Sequence, residues 1–198
     1  YERGEYLFLE AERARWGGII VEGRVKLVKH SDTGKDLTVE ILGPGRFLGV
    51  ESLFGDQLNV SSAQAMEDSL VFALSARDNL LLLKDHPDTT YEITRDLCAR
   101  LEEAYQMMRS LALERVERRI ALNLSKLAGK VGVREPSGAI LIDLQLSRQD
   151  LADMAGTTIE TAIRTMSKLQ RQGLVESDSG KVRLLKPHQI VLISEDML

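Results

Sequence analysis

The chain has 198 residues, of which 43% are hydrophobic, so it is long enough to form one large domain or two ordinary domains with real cores. Its net charge of -4 argues against a protein that coats nucleic acid regardless of sequence. The single cysteine, Cys98, excludes an intramolecular disulfide framework and an all-cysteine metal site built from one chain. Apolar runs such as Leu80 to Leu83 are far too short to span a bilayer and no signal peptide is evident, so we expect a cytoplasmic protein.

Charge is unevenly distributed along the chain. Residues 1–110 hold 13 basic and 19 acidic residues (net -6), whereas residues 111–198 hold 13 basic and 11 acidic residues (net +2). An acidic front half and a mildly basic rear half are typical of a sensor joined to a DNA reader.

The N-terminal half has the pattern of short β-strands. Leu37, Val39 and Ile41 alternate with polar residues, and this period of two predicts a strand. Residues 25–28 and 70–74 predict further strands. Glycines separate these segments at the intervals expected of a small barrel or sandwich: Gly23, Gly43, Gly45 and Gly49.

Residues 88–112 predict a long amphipathic helix that begins with Asp88 as its cap. Its apolar or small side chains repeat at alternating spacings of three and four residues: Thr94, Leu97, Leu101, Ala104, Met108 and Leu111. Such a seam can pack on the β-domain of its own chain or pair with the same helix of a second copy, and both interpretations stay open. Cys98 lies on this helix, where we expect a buried small hydrophobe.

The stretch 146–185 predicts two short helices and a hairpin. Ser147 followed by Asp150 is a capping box that opens the first helix, and Gly156 ends it. Thr157 followed by Glu160 repeats the capping pattern. The second helix then carries one inward face at helical spacing: Ala162, Thr165, Met166 and Leu169. Two capped helices joined at a glycine have the form of a helix-turn-helix, whose second helix lies in the major groove of DNA.

The chemistry of the opposite face fits base reading. Arg164 can donate two hydrogen bonds to guanine O6 and N7, and Glu160 can accept one from cytosine N4. The simpler alternative is a solvated ion pair between these two residues, worth only about 0.3 to 0.5 kcal/mol.

Several donors are expected to meet phosphates. Small polar side chains and one cation lie near the two helix N-termini, where free backbone N–H groups favour phosphate: Ser147, Arg148, Gln149, Thr158 and Thr161. A hairpin turn at 178–181 predicts a wing that carries Lys181 and Arg183 beside the DNA backbone.

The helix-turn-helix resembles the DNA-binding domain of the cyclic-AMP receptor protein and FNR superfamily of bacterial transcription regulators. The recognition helix of that superfamily often reads (R or V)-E-T-hydrophobic-x-R, and residues 159–164 here read I-E-T-A-I-R. Ile159 stands where the cyclic-AMP branch has a base-reading arginine, which is similar to the FNR branch. By this resemblance Glu160 and Arg164 read a G·C pair, while Ile159 and Ile163 contact thymine methyl groups, although Ile163 is equally compatible with the core.

Residues 18–54 resemble the β-roll of the cyclic-nucleotide-binding fold, including the glycine-rich loop of that family, which reads L-G-P-G-R-F-L-G at 42–49. Cyclic-AMP binders have a glutamate directly after the last glycine of this loop and a phosphate-binding arginine about ten residues later. Here Val50 follows Gly49, with Glu51 one place late. Val60 occupies the position of the arginine, although Ser61 matches a neighbouring serine. A cyclic phosphate would lack its cation in this pocket, so we expect that cyclic AMP is not the effector.

The two resemblances imply an α+β protein: a double-stranded β-helix of jelly-roll type at 1–87, a dimerisation helix at 88–112 and a winged helix-turn-helix at 113–198. They imply a homodimer that binds double-stranded DNA and RNA polymerase and regulates transcription, more often by activation. We expect no catalytic residue, no metal, no cofactor and no membrane.

Two alternatives remain. The pocket can be empty, or it can accept another small ligand or a redox signal that gates DNA binding. A metal enzyme of the cupin type would need clustered histidines and carboxylates, and the front half offers only His30 and His86.

Overall fold

The structure, a computed structural model, describes residues 1–32, 34–54 and 57–195. These residues form two compact units, Tyr1–Met107 and Met108–Leu198. The first unit is rich in β-strands and the second mixes helices with a small sheet, in agreement with the predicted α+β class.

Two antiparallel sheets make up the β-domain of the first unit. One sheet has the strand order β1-β6-β3-β4 and the other the order β5-β2-β7. The strands are β1 (Tyr6–Phe8), β2 (Trp16–Glu22), β3 (Val25–His30), β4 (Asp36–Leu42), β5 (Phe47–Leu48), β6 (Ser62–Ala65) and β7 (Leu70–Ser75), and a 3₁₀ turn spans Val50–Phe54.

The core of this unit holds apolar side chains from both sheets: Leu7, Phe8, Ile20, Val25, Leu42, Leu48, Ala63 and Ala65. The alternation in β4 identified the strand but not its buried face. Thr38 and Leu42 are buried, whereas Val39 is 36% exposed. Phe72 of β7 is likewise exposed. An alternating pattern predicts that the two faces of a strand differ in polarity. Which face is buried depends on how the strand pairs and packs with the others.

Helices α1 (Ala76–Asp85) and α2 (Pro87–Leu113) follow the strands. Ser75 caps α1 by accepting the Asp78 N–H at 3.1 Å. The predicted cap of α2 is wrong. Asp88 lies inside the first turn, because Pro87 with its fixed backbone angle already opens the helix.

Charged side chains join α2 to the strands within the first unit. Arg100 Nε lies 2.7 Å from Asp96 Oδ2, and Arg46 Nε lies 2.9 Å from Asp96 Oδ1. Both guanidinium groups also approach Glu40, and Arg100 donates to the carbonyl of Phe47. Burial raises the pKa of the Glu40 carboxyl, and the two arginines oppose that shift.

The second unit contains four further helices and a four-stranded sheet of order β10-β11-β9-β8. Its elements are α3 (Val116–Val131), β8 (Gly132–Arg134), β9 (Ile140–Ile142), α4 (Arg148–Ala155), α5 (Ile159–Arg171), β10 (Val175–Asp178), β11 (Lys181–Leu184) and α6 (Pro187–Ser194). Ile120 and Leu124 of α3 are buried, together with Leu151 of α4 and Leu169 of α5.

Leu124→Ala tests this core. Leu124 is fully buried, so we expect its truncation to lower the free energy of unfolding by about 2 to 5 kcal/mol, measured by urea denaturation. Leu185→Ala is the matched control, because Leu185 is exposed and should cost no more than about 0.5 kcal/mol. Equal losses for the two variants would contradict the described packing.

Candidate nucleic-acid interface

A complete capping box begins α4, as the sequence predicts. Ser147 Oγ accepts the backbone N–H of Asp150 at 3.0 Å, and the Asp150 carboxylate accepts the N–H of Ser147 at 2.9 Å. Two of the free N–H groups at this end of the helix are therefore satisfied by side chains.

The cap of α5 lies one residue later than the sequence pattern predicts. Gly156 adopts a left-handed backbone with φ of 56°, which ends α4. Thr157 N–H then donates to the carbonyl of Ala152 at 3.0 Å, so the backbone of this residue completes the end of α4. Thr158 is the actual cap and accepts the N–H of Thr161 at 3.3 Å.

Helix α5 separates an apolar face from a charged one. Ala162, Met166 and Leu169 are buried, and Thr165 is half-buried. On the opposite face Glu160 and Arg164 are exposed. Arg164 contacts the hydroxyl of Thr161 at 3.3 Å, and no ion pair links it to Glu160 among the residues described.

The two isoleucines of α5 differ in exposure. Ile163 is 43% exposed, so the structure does not support its assignment to the core. Ile159 is half-buried at the start of the helix. An exposed aliphatic side chain beside Arg164 is available for contact with a thymine methyl group.

The side chains expected at phosphates lie at the N-terminal ends of α4 and α5. Ser147, Gln149 and Thr158 are exposed, and Arg148 and Thr161 are half-buried. The Gln149 amide donates to Asp153 Oδ1 at 2.7 Å, one turn along α4. This contact holds the Gln149 side chain in place but occupies one of its N–H groups.

The wing forms as predicted, but its cations are paired with carboxylates. Ser179 and Gly180 both have positive φ, which permits a two-residue turn between β10 and β11. Lys181 Nζ lies 2.6 Å from Asp143 Oδ1. Arg183 contacts Glu135 at 3.0 Å and Glu176 at 2.6 Å, and these hydrogen bonds raise the pKa of its guanidinium. A phosphate must therefore compete with local acids for both side chains.

The pocket region of the first unit keeps the loop but not the expected charges. Gly49 is buried with φ of 72°, and a Cβ there would meet the carbonyl of Trp16 at 2.8 Å. The Glu51 carboxylate accepts the N–H of Val60 at 3.3 Å. The Val60 side chain is 64% exposed, Ser61 is buried and Val50 is half-buried. The structure thus brings residues 51 and 60 together without a cation at either position.

The seam of α2 is largely uncovered in the single chain. Thr94, Leu101, Ala104 and Met108 are exposed, and Leu97 and Leu111 are half-buried. Cys98 is also exposed in the single chain, so its burial stays a prediction that depends on pairing of α2 with a second copy.

Two polar residues of α3 were missed in the sequence. Arg119 and Asn123 donate hydrogen bonds to carbonyls at the end of α4. Their spacing of four residues places them on one face of α3, and this was the available signal.

Within residues 1–32, 34–54 and 57–195, no three histidine, cysteine or acidic side chains are close enough to hold a metal ion. None of the described helices is both long and apolar enough to cross a membrane.

Two family models match the chain, one for each part of this architecture. A cyclic nucleotide-binding domain matches residues 1–86, and a Crp-like helix-turn-helix domain matches residues 113–191. The chain therefore joins a domain of the cyclic nucleotide-binding family to a helix-turn-helix domain of the Crp type.

Similar proteins align with this chain over most of their length. The transcriptional regulator SdrP of Thermus thermophilus is 31% identical over 166 residues, covering 84% of this chain and 77% of that protein. The cyclic AMP receptor protein of the same organism is 29% identical over 184 residues, covering 93% and 82%. A solved CRP/FNR-family regulator from Thermus thermophilus superposes with a TM-score of 0.80 at 27% identity, covering 98% of this chain and 96% of that one.

The chain belongs to the CRP/FNR family of transcription regulators. Its relatives are regulators and not enzymes, and it binds DNA through its helix-turn-helix.

Lys181→Ala tests whether the wing contacts phosphate despite its ion pair. If Lys181 exchanges Asp143 for a phosphate, DNA binding should weaken equally on all sequences. The slope of log affinity against log salt should then fall by about 1. Titrations at several salt concentrations measure both. An unchanged slope would mean that Lys181 keeps its pair with Asp143 in the complex.

Proposed function

We propose that this protein is a homodimeric, sequence-specific transcription regulator that reads a near-palindromic DNA site without cyclic AMP. The observation that carries the proposal is the division of α5 into a buried apolar face and an exposed face with Glu160 and Arg164. A helix anchored in this way presents fixed donors and acceptors to the major groove.

Base reading follows from the two charged side chains. Because Arg164 and Glu160 are not paired with each other, neither has to break a mutual ion pair to reach a base. Arg164 donates to guanine O6 and N7, and Glu160 accepts from cytosine N4. Ile159 has no hydrogen-bonding group, so the guanine that an arginine at this position would read is left unspecified.

The exposed seam of α2 supports pairing with a second copy. Leu101 and Met108 are more than half exposed, on a helix of 27 residues that is about 40 Å long. Apolar side chains at heptad spacing gain stability when a second helix covers them. Two recognition helices must also span half-sites about 34 Å apart, which a dimer achieves.

The chemistry of the pocket supports independence from cyclic AMP. A cyclic phosphate would meet Val50 and Val60 and the Glu51 carboxylate, and it would find no arginine among them. The nearby Lys29 ammonium donates to the carbonyl of Val60 at 2.7 Å and is already paired with Glu10. An anion placed beside a carboxylate without a compensating cation is unfavourable. The relatives divide on this point, because one is named a cyclic AMP receptor protein and another only a transcriptional regulator.

Activation through contact with RNA polymerase completes the proposal. It derives from the family, whose members act more often as activators. The same DNA-bound dimer would repress if its site overlapped a promoter, so the sign of regulation depends on where the operator lies.

Arg164→Ala tests the base reading. Two duplexes are compared, the specific site and a site in which the central G·C pair is replaced. We expect the variant to lower the difference in binding free energy between them by about 1 to 3 kcal/mol per half-site. Arg171→Ala is the charge-matched control, because Arg171 is exposed at the far end of α5. Fluorescence titrations on both duplexes measure the ratio. Equal discrimination in Arg164→Ala and the unmodified protein would remove Arg164 from the reading.

Selection of bound sequences from a random DNA pool tests dimerisation and effector independence together. The ligand-free protein should recover a two-fold symmetric motif, and addition of cyclic AMP should leave its affinity for that motif unchanged. Recovery only with cyclic AMP would contradict independence. Recovery of an asymmetric half-site would contradict the dimeric reader. No enrichment without a ligand would favour a regulator gated by another small molecule.

A further inference from the structure

The last three carbonyls of α4 and its turn receive side-chain donors from α3. A helix leaves its final carbonyls without partners inside the helix. Asn123 Nδ2 donates to the carbonyl of Met154 at 2.9 Å. Arg119 Nε donates to the carbonyl of Ala155 at 2.8 Å, and Arg119 Nη2 lies 3.4 Å from the carbonyl of Gly156. Three consecutive carbonyls are thus satisfied by two residues that lie one turn apart on α3.

Arg119 also makes a contact in the opposite direction. Its Nη1 donates at 2.8 Å to the carbonyl of Glu114, which lies between the end of α2 and the start of α3. All three guanidinium nitrogens are therefore engaged with backbone oxygens. Only arginine carries a planar group with donors in three directions, and lysine has a single nitrogen. A cation at the C-terminal end of α4 is also favoured by the helix dipole.

These contacts act at the point that sets the direction of the recognition helix. Gly156 is separated from Ile159, the first residue of α5, by only Thr157 and Thr158. Rotation of the backbone at Gly156 would swing α5 and move Glu160 and Arg164 relative to the bases. Base reading requires hydrogen bonds of defined length and angle, so a small displacement of the helix weakens it.

We infer that Arg119 and Asn123 are positioning residues for DNA reading, which hold the turn between α4 and α5 in the geometry that base contacts require. Neither side chain needs to touch DNA for this role. The inference rests on DNA binding through the helix-turn-helix, and it adds two residues outside the reading helices to the determinants of specificity.

The test compares Arg119→Ala with Arg118→Ala. Arg118 is the neighbouring arginine on α3, and its Nε donates to the carbonyl of Ser194 at 2.7 Å, away from the turn. Both variants lose a half-buried arginine that bonds to backbone. Affinities are measured for the selected site, for the site with its central G·C pair replaced and for unrelated DNA, together with the thermal midpoint of each variant.

We expect Arg119→Ala to bind the selected site about tenfold more weakly, equivalent to about 1.4 kcal/mol, while its binding to unrelated DNA changes far less. Arg118→Ala should keep the ratio of specific to unrelated binding, even where its thermal midpoint falls as much. Arg119→Lys should restore only part of the ratio, and Asn123→Ala should lower it less than Arg119→Ala. Full discrimination in Arg119→Ala, or the same loss in Arg118→Ala, would overturn the inference.

Amide hydrogen exchange keeps the test independent of the operator. In Arg119→Ala the amides of Gly156, Thr157 and Thr161 should exchange faster than in Arg118→Ala, because the turn has lost its anchor. Unchanged protection would contradict the positioning role even if DNA binding fell. If the unmodified protein itself showed no sequence preference, the proposed function would fail, and the exchange data would still decide the role of Arg119 in the turn.

Discussion

The left-handed backbone at Gly156 is the constraint on which the DNA reader depends. It ends α4 and turns the chain so that Thr158 can cap α5, which begins at Ile159. Hydrogen bonds hold this turn: Thr157 N–H bonds back to α4, and the last carbonyls of α4 accept from α3. Because the turn is held from both sides, burial of the apolar face of α5 leaves Glu160 and Arg164 in a defined direction toward solvent.

The wing cations of the second unit are paired with nearby carboxylates. The net charge of this unit is only slightly positive, and the carboxylates that pair with Lys181 and Arg183 lie in a neighbouring strand or directly after one. A surface of this kind attracts DNA weakly by charge alone, since nonspecific affinity grows with the number of phosphates that are neutralised. If α5 reads the bases as we propose, recognition depends more on its contacts than on a general positive field.

Sequence patterns predicted those parts of the structure that are coded by neighbouring residues. The capping box at Ser147, the hairpin at 178–181 and the inward face of α5 all follow from spacings of a few positions. The cap of α5 was misplaced because Thr157 and Thr158 can both cap a helix, and in the structure Thr158 accepts the N–H of Thr161. The pair of Arg183 with Glu135 joins residues 48 positions apart, which no local pattern reports. The contacts of Arg119 were hidden for a different reason, because backbone carbonyls look alike in every sequence.

In the first unit, the residues that the fold requires differ from those that would bind a ligand. Gly49 is needed whether or not a nucleotide binds, because any side chain there would collide with the carbonyl of Trp16. The glycine-rich loop that resembles a nucleotide site is therefore retained by backbone geometry. Ligand chemistry depends instead on the side chains that follow, and at positions 50 and 60 these are valines, with the Glu51 carboxylate bonded to the backbone of Val60. A strong match to the domain family and valines at positions 50 and 60 are thus compatible, because the fold and the ligand chemistry depend on different atoms.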